Sequence, residues 1–115
     1  MGARRDTAGV SRRFFQRRES ESTPMERRAY RVTGRVQGVG FRSFARFRAM
    51  DLSLKGWVCN RTDGSVEIQV EGPRAKLDAY EGLLKQGPPS GHVELLERIE
   101  ADSREGFKDF EIRFG

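Results

Sequence analysis

The chain has 115 residues, 34% of them charged, and a formal net charge of +5. That length favours one domain, and no apolar run approaches the ~18 residues of a membrane span. A single cysteine, Cys59, excludes an intramolecular disulfide and suits a reducing compartment, so a cytoplasmic location is expected.

The basic excess is uneven. Residues 1–24 hold six Arg against three acids, with few large apolar residues (Val10, Phe14, Phe15). The stretch lacks the apolar core of a secretory signal. Its composition predicts a disordered basic extension over residues 1–26, ahead of a folded domain over 27–115. Met25 is a candidate alternative start. The other 91 residues carry 16 basic and 14 acidic side chains, so the folded part is near neutral. This weakens the nucleic-acid reading that a pI near 10 otherwise invites.

Residues 29–36 alternate, Tyr30 and Val32 against Arg31 and Thr33, and read as a first strand. Residues 41–52 place Phe41, Phe44, Ala45, Phe47, Ala49 and Met50 at helical intervals, with Arg42, Arg46 and Arg48 among them. Residues 54–60 read as a second strand, and Thr62-Asp63-Gly64 supplies a hairpin turn. Residues 65–71 alternate cleanly, Val66, Ile68 and Val70 against Glu67, Gln69 and Glu71. Pro73 suits the first turn of a second helix with an apolar stripe of Leu77, Tyr80, Leu83 and Leu84. That helix ends before the breaker cluster Gly87-Pro-Pro-Ser-Gly91, which leaves His92 exposed in a loop with no catalytic partner. Strands follow at 93–101 and 109–114. The order βαββαβ with a short final strand predicts an α+β, ferredoxin-like split βαβ fold: an antiparallel sheet with two helices on one face.

Between the first strand and the first helix runs Val32-Thr-Gly-Arg-Val-Gln-Gly-Val-Gly-Phe-Arg42. Glycines let the backbone adopt φ > 0 and approach a ligand closely. A glycine loop that opens a helix exposes unpaired N–H groups, which favour an anion. Arg42 adds a permanent charge and a planar fork of donors suited to phosphate oxygens. The segment therefore reads as a phosphate cradle, with the N–H groups of Gln37, Gly38, Val39, Gly40, Phe41 and Arg42 as candidate phosphate ligands. It is neither a P-loop, since no Lys-Ser/Thr follows, nor a dinucleotide fingerprint. Arg46 is a second candidate source of positive potential. Asn60, taken alone, is an ordinary residue beside a turn.

A second motif changes that reading. Gly56-Trp-Val-Cys-Asn60-Arg-Thr-Asp-Gly64-Ser-Val66 closes at Gly72, and Asn60 lies eighteen positions after Arg42. Together the two motifs resemble the signatures of the acylphosphatases, small enzymes that hydrolyse carboxyl-phosphate mixed anhydrides. The resemblance covers residues 27–115. It implies that Arg42 binds the phosphoryl group, that Asn60 positions the attacking water, and that small acyl phosphates are the substrates, with inorganic phosphate as product and competitive inhibitor. It implies no cofactor and no metal, and no His/Cys/Asp/Glu cluster with ligand spacing is present. Cys59 departs from the family, where a long polar or basic residue is commoner; it is expected on the opposite face of the strand from Asn60. The same domain also occurs within larger carbamoyl-transferring proteins. A monomer without membrane attachment is expected.

The alternative is a non-catalytic binding module of the same fold for nucleic acid or an anionic ligand. RNA-recognition domains stack bases on strand aromatics, and the run of residues that marks them is absent here. Tyr30, Trp57 and Phe110 are scattered along the strands, and Trp57 is expected to be partly buried against the sheet.

Overall fold

The computed structural model describes residues 25–102 and 106–114. The predicted basic extension lies, up to residue 24, outside these. Strand β1 (Met25–Arg35) is followed by helix α1 (Phe41–Asp51), strands β2 (Lys55–Asn60) and β3 (Val66–Pro73), helix α2 (Arg74–Gln86), and strands β4 (His92–Ile99) and β5 (Phe110–Arg113). The sheet order is β4-β1-β3-β2-β5. Four strands pair antiparallel, as the pattern predicts, but β5 runs parallel to β2 and makes the sheet mixed. The architecture is the ferredoxin-like α+β fold.

One face of the sheet carries the core. Tyr30 and Val32 of β1, Val58 of β2 and Val66, Ile68 and Val70 of β3 are fully buried against Phe41, Ala45 and Ala49 of α1 and Leu77, Tyr80 and Leu84 of α2. Each helix thus buries an i, i+4, i+8 or i, i+3, i+7 stripe. Alanines at two of three contact points let α1 lie close to the sheet. Phe47 and Met50, which also fit a helical period, face outward, 57% and 51% exposed. The Tyr80 hydroxyl donates to the Ala45 carbonyl at 2.9 Å and joins the two helices. Pro73 caps α2 from just outside, with φ −64° and ψ 146°, and the helix proper starts at Arg74.

The helix-free face is covered by charge. Arg31 pairs with its register partner Glu97 at 3.3 Å, and Arg27 pairs with its register partner Glu71. Such cross-strand pairs suit a solvated face. β1 starts at Met25, whose register partner is Pro73, and Glu26 accepts from Arg74 at 2.7 Å. Among the described residues no helix is long and apolar enough to cross a membrane.

Candidate active site

Two glycines shape the loop between β1 and α1. Gly38 and Gly40 hold φ of 76° and 80°. A Cβ at either would meet nothing within 4 Å, so the requirement is backbone conformation and not space. Gly40 is the N-cap of α1; no side chain caps the helix there and no acid stands in its first turn. The first N–H groups of α1 are thus left to a ligand or solvent, at the positive end of the helix dipole.

Arg42 is the second residue of α1 and is half-buried. Its guanidinium carbon lies 5.0 Å from the centroid of the Phe114 ring. No carboxylate among the described residues pairs with it, although Arg28, Arg31, Arg61 and Arg98 are all paired. A cleft of about 230 Å³ opens here, between Gly38, Gly40, Arg42 and Ser43 on the loop side and Ile112 and Phe114 on the β5 side.

Asn60 is the last residue of β2. Two positions earlier Val58 belongs to the helix-facing core, so the two-residue period puts Asn60 on that same face. Its Oδ1 is buried and has no hydrogen-bond partner among the described residues. A buried amide oxygen without a donor is uncommon and calls for a reason. Cys59 is buried on the other face, as expected, and its thiol donates to the Asn60 carbonyl at 3.3 Å.

The loop and the end of β2 are physically joined. The Gln37 side-chain Nε2 donates to the Arg61 carbonyl at 2.7 Å and to the Ser65 carbonyl at 2.9 Å. These carbonyls flank the hairpin turn, which the Arg61 N–H closes on Ser65 at 2.8 Å. Asp63 stiffens the same turn: its Oδ1 accepts from the Ser65 hydroxyl and N–H, and its Oδ2 accepts from Arg31 at 2.6 Å. The Ser65 hydroxyl, with Arg31 beside it, holds the Asp63 carboxyl well below the usual carboxylate range. On the other side Ser90 donates to the Val39 carbonyl at 3.0 Å.

Arg42, Asn60 and the 37–42 backbone therefore lie at one end of the sheet. Arg46 does not join them; it donates to the Phe110 carbonyl at 3.2 Å and anchors the start of β5. His92 opens β4 and is exposed. Trp57 is 8% exposed on the opposite face, beneath Arg61 and Arg113. A larger cleft of about 550 Å³ lies there, and several of its polar groups are engaged with one another: Arg61 with Glu67, and Gln69 with both Glu67 and the Asp102 N–H. Two contributors to the candidate site escape sequence reasoning. Phe114 lies one residue beyond a four-residue strand, and only the parallel β2–β5 register, Cys59 against Arg113, brings it to the end of the sheet where β2 finishes. The Gln37 side chain carries no local signal for its partners 24 and 28 positions away.

The fold and this end of the sheet define a small ferredoxin-like domain with an uncapped helix N-terminus beside a cleft. The acylphosphatase family profile matches residues 28–112. An acylphosphatase of Koribacter versatilis is 46% identical over 96 residues, 84% of this chain and 87% of the relative. The crystal structure of acylphosphatase from Bacillus subtilis superposes with a TM-score of 0.72 at 41% identity, over 78% of this chain and 99% of that one. Full-length HypF, in a phosphate- and nucleotide-bound form, contains a similar unit: 33% identity and a TM-score of 0.67 over 80% of this chain but 12% of that protein. The chain belongs to the acylphosphatase family, and its reaction is the hydrolysis of acyl phosphates.

Proposed function

We propose that Arg42 and the N–H groups of the 36–42 loop hold the phosphoryl group, and that Asn60 Oδ1 orients the attacking water. The observation that carries this reading is the orphaned Asn60 oxygen. Burying such an acceptor unsatisfied costs about 1–3 kcal/mol, a cost that a bound water removes. Placed by Asn60, the water attacks phosphorus in line with the acyl oxygen. The new O–P bond forms as the old one breaks, the carboxylate leaves, and the water's proton passes to a phosphate oxygen or to solvent.

An amide is no strong base, and the reaction does not ask for one. The carboxylate is a good leaving group, so positioning and electrostatic stabilisation of the phosphoryl oxygens supply most of the acceleration. The uncapped first turn of α1 and the unpaired Arg42 offer charge where those oxygens sit. Both candidate groups come from one chain, so a monomer is the working unit of this reading. Inorganic phosphate, as product, inhibits competitively, and no metal is invoked. The free thiol of Cys59 suits a reducing, cytoplasmic setting. The stacking surface an RNA-binding reading needs has no support in Trp57, which two arginines cover.

The test is hydrolysis of an aromatic acyl phosphate followed by absorbance, with chelator present. Asn60→Ala should lower kcat about 100-fold, a loss confined to the transition state, and change phosphate inhibition by less than about threefold. Spared kcat with collapsed phosphate affinity would mean that the roles of Asn60 and Arg42 are assigned the wrong way round.

A further inference from the structure

The candidate site is assembled from two pieces of chain that share no backbone hydrogen bond at the point where they meet. The phosphate loop leaves β1 and enters α1, whereas Asn60 ends β2 and leads into the hairpin. β1 and β2 are not neighbours in the sheet, because β3 lies between them. The sheet ladder relates the two only through β3, whose Val66 pairs with Val32 on one side and with Asn60 on the other, and it ends before the 36–40 loop, so it does not itself set the distance from that loop to Asn60.

We propose that the Gln37 side chain is the positioning residue that sets this distance, so that it governs water placement and not phosphate binding. The proposal rests on the roles assigned to Arg42 and Asn60 above. One primary amide has two N–H groups, and here both are used on the same hairpin: one on the Arg61 carbonyl, adjacent to Asn60, and one on the Ser65 carbonyl at the far side of the turn. A two-point attachment fixes direction as well as distance. The receiving hairpin is itself rigid, held by Asp63 on Ser65, by Arg31 on Asp63 and by Arg61 on Glu67 at 2.6 Å. Gln37 therefore couples the loop to a fixed body, and the loop's other flank is fastened through Ser90. The side chain is turned away from the anion and toward the hairpin, and only its backbone N–H remains for a phosphoryl oxygen.

The chemistry required is two donors at the length of a glutamine. Glutamate has the shape but sets a charge against two carbonyls; asparagine has the donors but is one methylene short; methionine has the volume and no donor. A misplacement of about 1 Å between reacting groups costs on the order of 100-fold in rate, whereas phosphate contacts confined to the loop and Arg42 are unaffected.

The experiment is a double-mutant cycle on kcat for an aromatic acyl phosphate, with phosphate inhibition measured in parallel. Gln37→Ala and Gln37→Met are each combined with Asn60→Ala. Either Gln37 change alone should lower kcat at least about tenfold, with the phosphate inhibition constant within about threefold of wild type. In the Asn60→Ala background either change should cost less than about twofold, because the group it positions is already gone. Equal fold losses in both backgrounds would overturn the proposal, as would a collapse of phosphate affinity or unchanged kcat in Gln37→Met. Methionine guards against a packing loss in the alanine variant. A normal kcat in Asn60→Ala alone points elsewhere: it refutes the water-orienting reading itself.

Discussion

Replacing Arg42 with Ala should remove most of the activity and little of the stability. The guanidinium makes no ion pair among the described residues, and its visible contact is with the Phe114 ring at 5.0 Å. A cation–π contact at a partly exposed site is worth about 0.5–1 kcal/mol, a few degrees in Tm for a domain of this size. On the proposed role, against a bound phosphoryl group the same fork would make two charge-assisted hydrogen bonds of about 1.5–3 kcal/mol each. Their joint loss, about 3–6 kcal/mol, is roughly a 10²–10⁴-fold fall in kcat/KM. Arg42→Lys should recover little of this, because an ammonium keeps the charge and loses the fork. The assay is absorbance-detected hydrolysis of an aromatic acyl phosphate, with inorganic phosphate titrated as inhibitor and thermal unfolding recorded on the same samples. Phosphate should inhibit wild type competitively and Arg42→Ala hardly at all. A folded Arg42→Ala with near-normal kcat/KM would refute the reasoning.

Gly40→Ala introduces no clash but forces an alanine to φ 80°; a cost of about 1–2 kcal/mol is expected, seen as a lower Tm together with weaker phosphate inhibition. Burial, helped by the bond to Glu81, pushes the Tyr30 phenol up to about 12. Its contribution to stability is full below the unfolded value near 10 and is lost as pH rises toward 12, so Tyr30→Phe should flatten part of the fall in Tm across that window. A chain starting at Met25 keeps all of β1 and both motifs, and should retain wild-type kcat/KM at high salt; any loss at low salt should be a steering effect screened within about 10 Å at 0.1 M.

The elements that sequence reasoning reads well are those whose signal is local. β3 alternates because one face is buried and the other paired, and Gly87 ends α2 with its N–H on the Leu83 carbonyl, as a helix C-terminus wants. The glycine loop before α1 is legible because positive φ at Gly38 and Gly40 is a demand that glycine answers. What escapes is set by partners distant in sequence. The start of β1 is a run of charges, Glu26-Arg27-Arg28, with no alternation to read; each is satisfied by a residue of another element, Arg74, Glu71 and Asp78. β5 is four residues long, too short to reveal that it runs parallel to β2. Phe47 and Met50 fit the period of α1 yet face solvent, because the sheet accepts only the narrow stripe of Phe41, Ala45 and Ala49.

The same distinction bears on the candidate site. Arg42 and Asn60 are found by motif, but what would make either effective in its proposed role is what the fold declines to give it. Several other charges are spent within the protein: Glu81 alone, with its carboxyl lowered against the opposing pull of burial by the bond from Arg98, accepts from Arg28, Tyr30 and Arg98. An arginine neutralised in that way has little left for a ligand. Arg42 is placed on α1 beside Phe114, which follows the short strand β5 and offers a π-face and no carboxylate, and Asn60 ends a strand with no donor aimed at its oxygen. These two lie at one end of one sheet, beside a loop bent by two left-handed glycines. On the proposed roles, a fold that tolerates them together gives up stability at the place where a phosphoryl group and a water would restore it, so binding energy would be realised as the anion arrives and be greatest when charge on the phosphoryl oxygens is greatest.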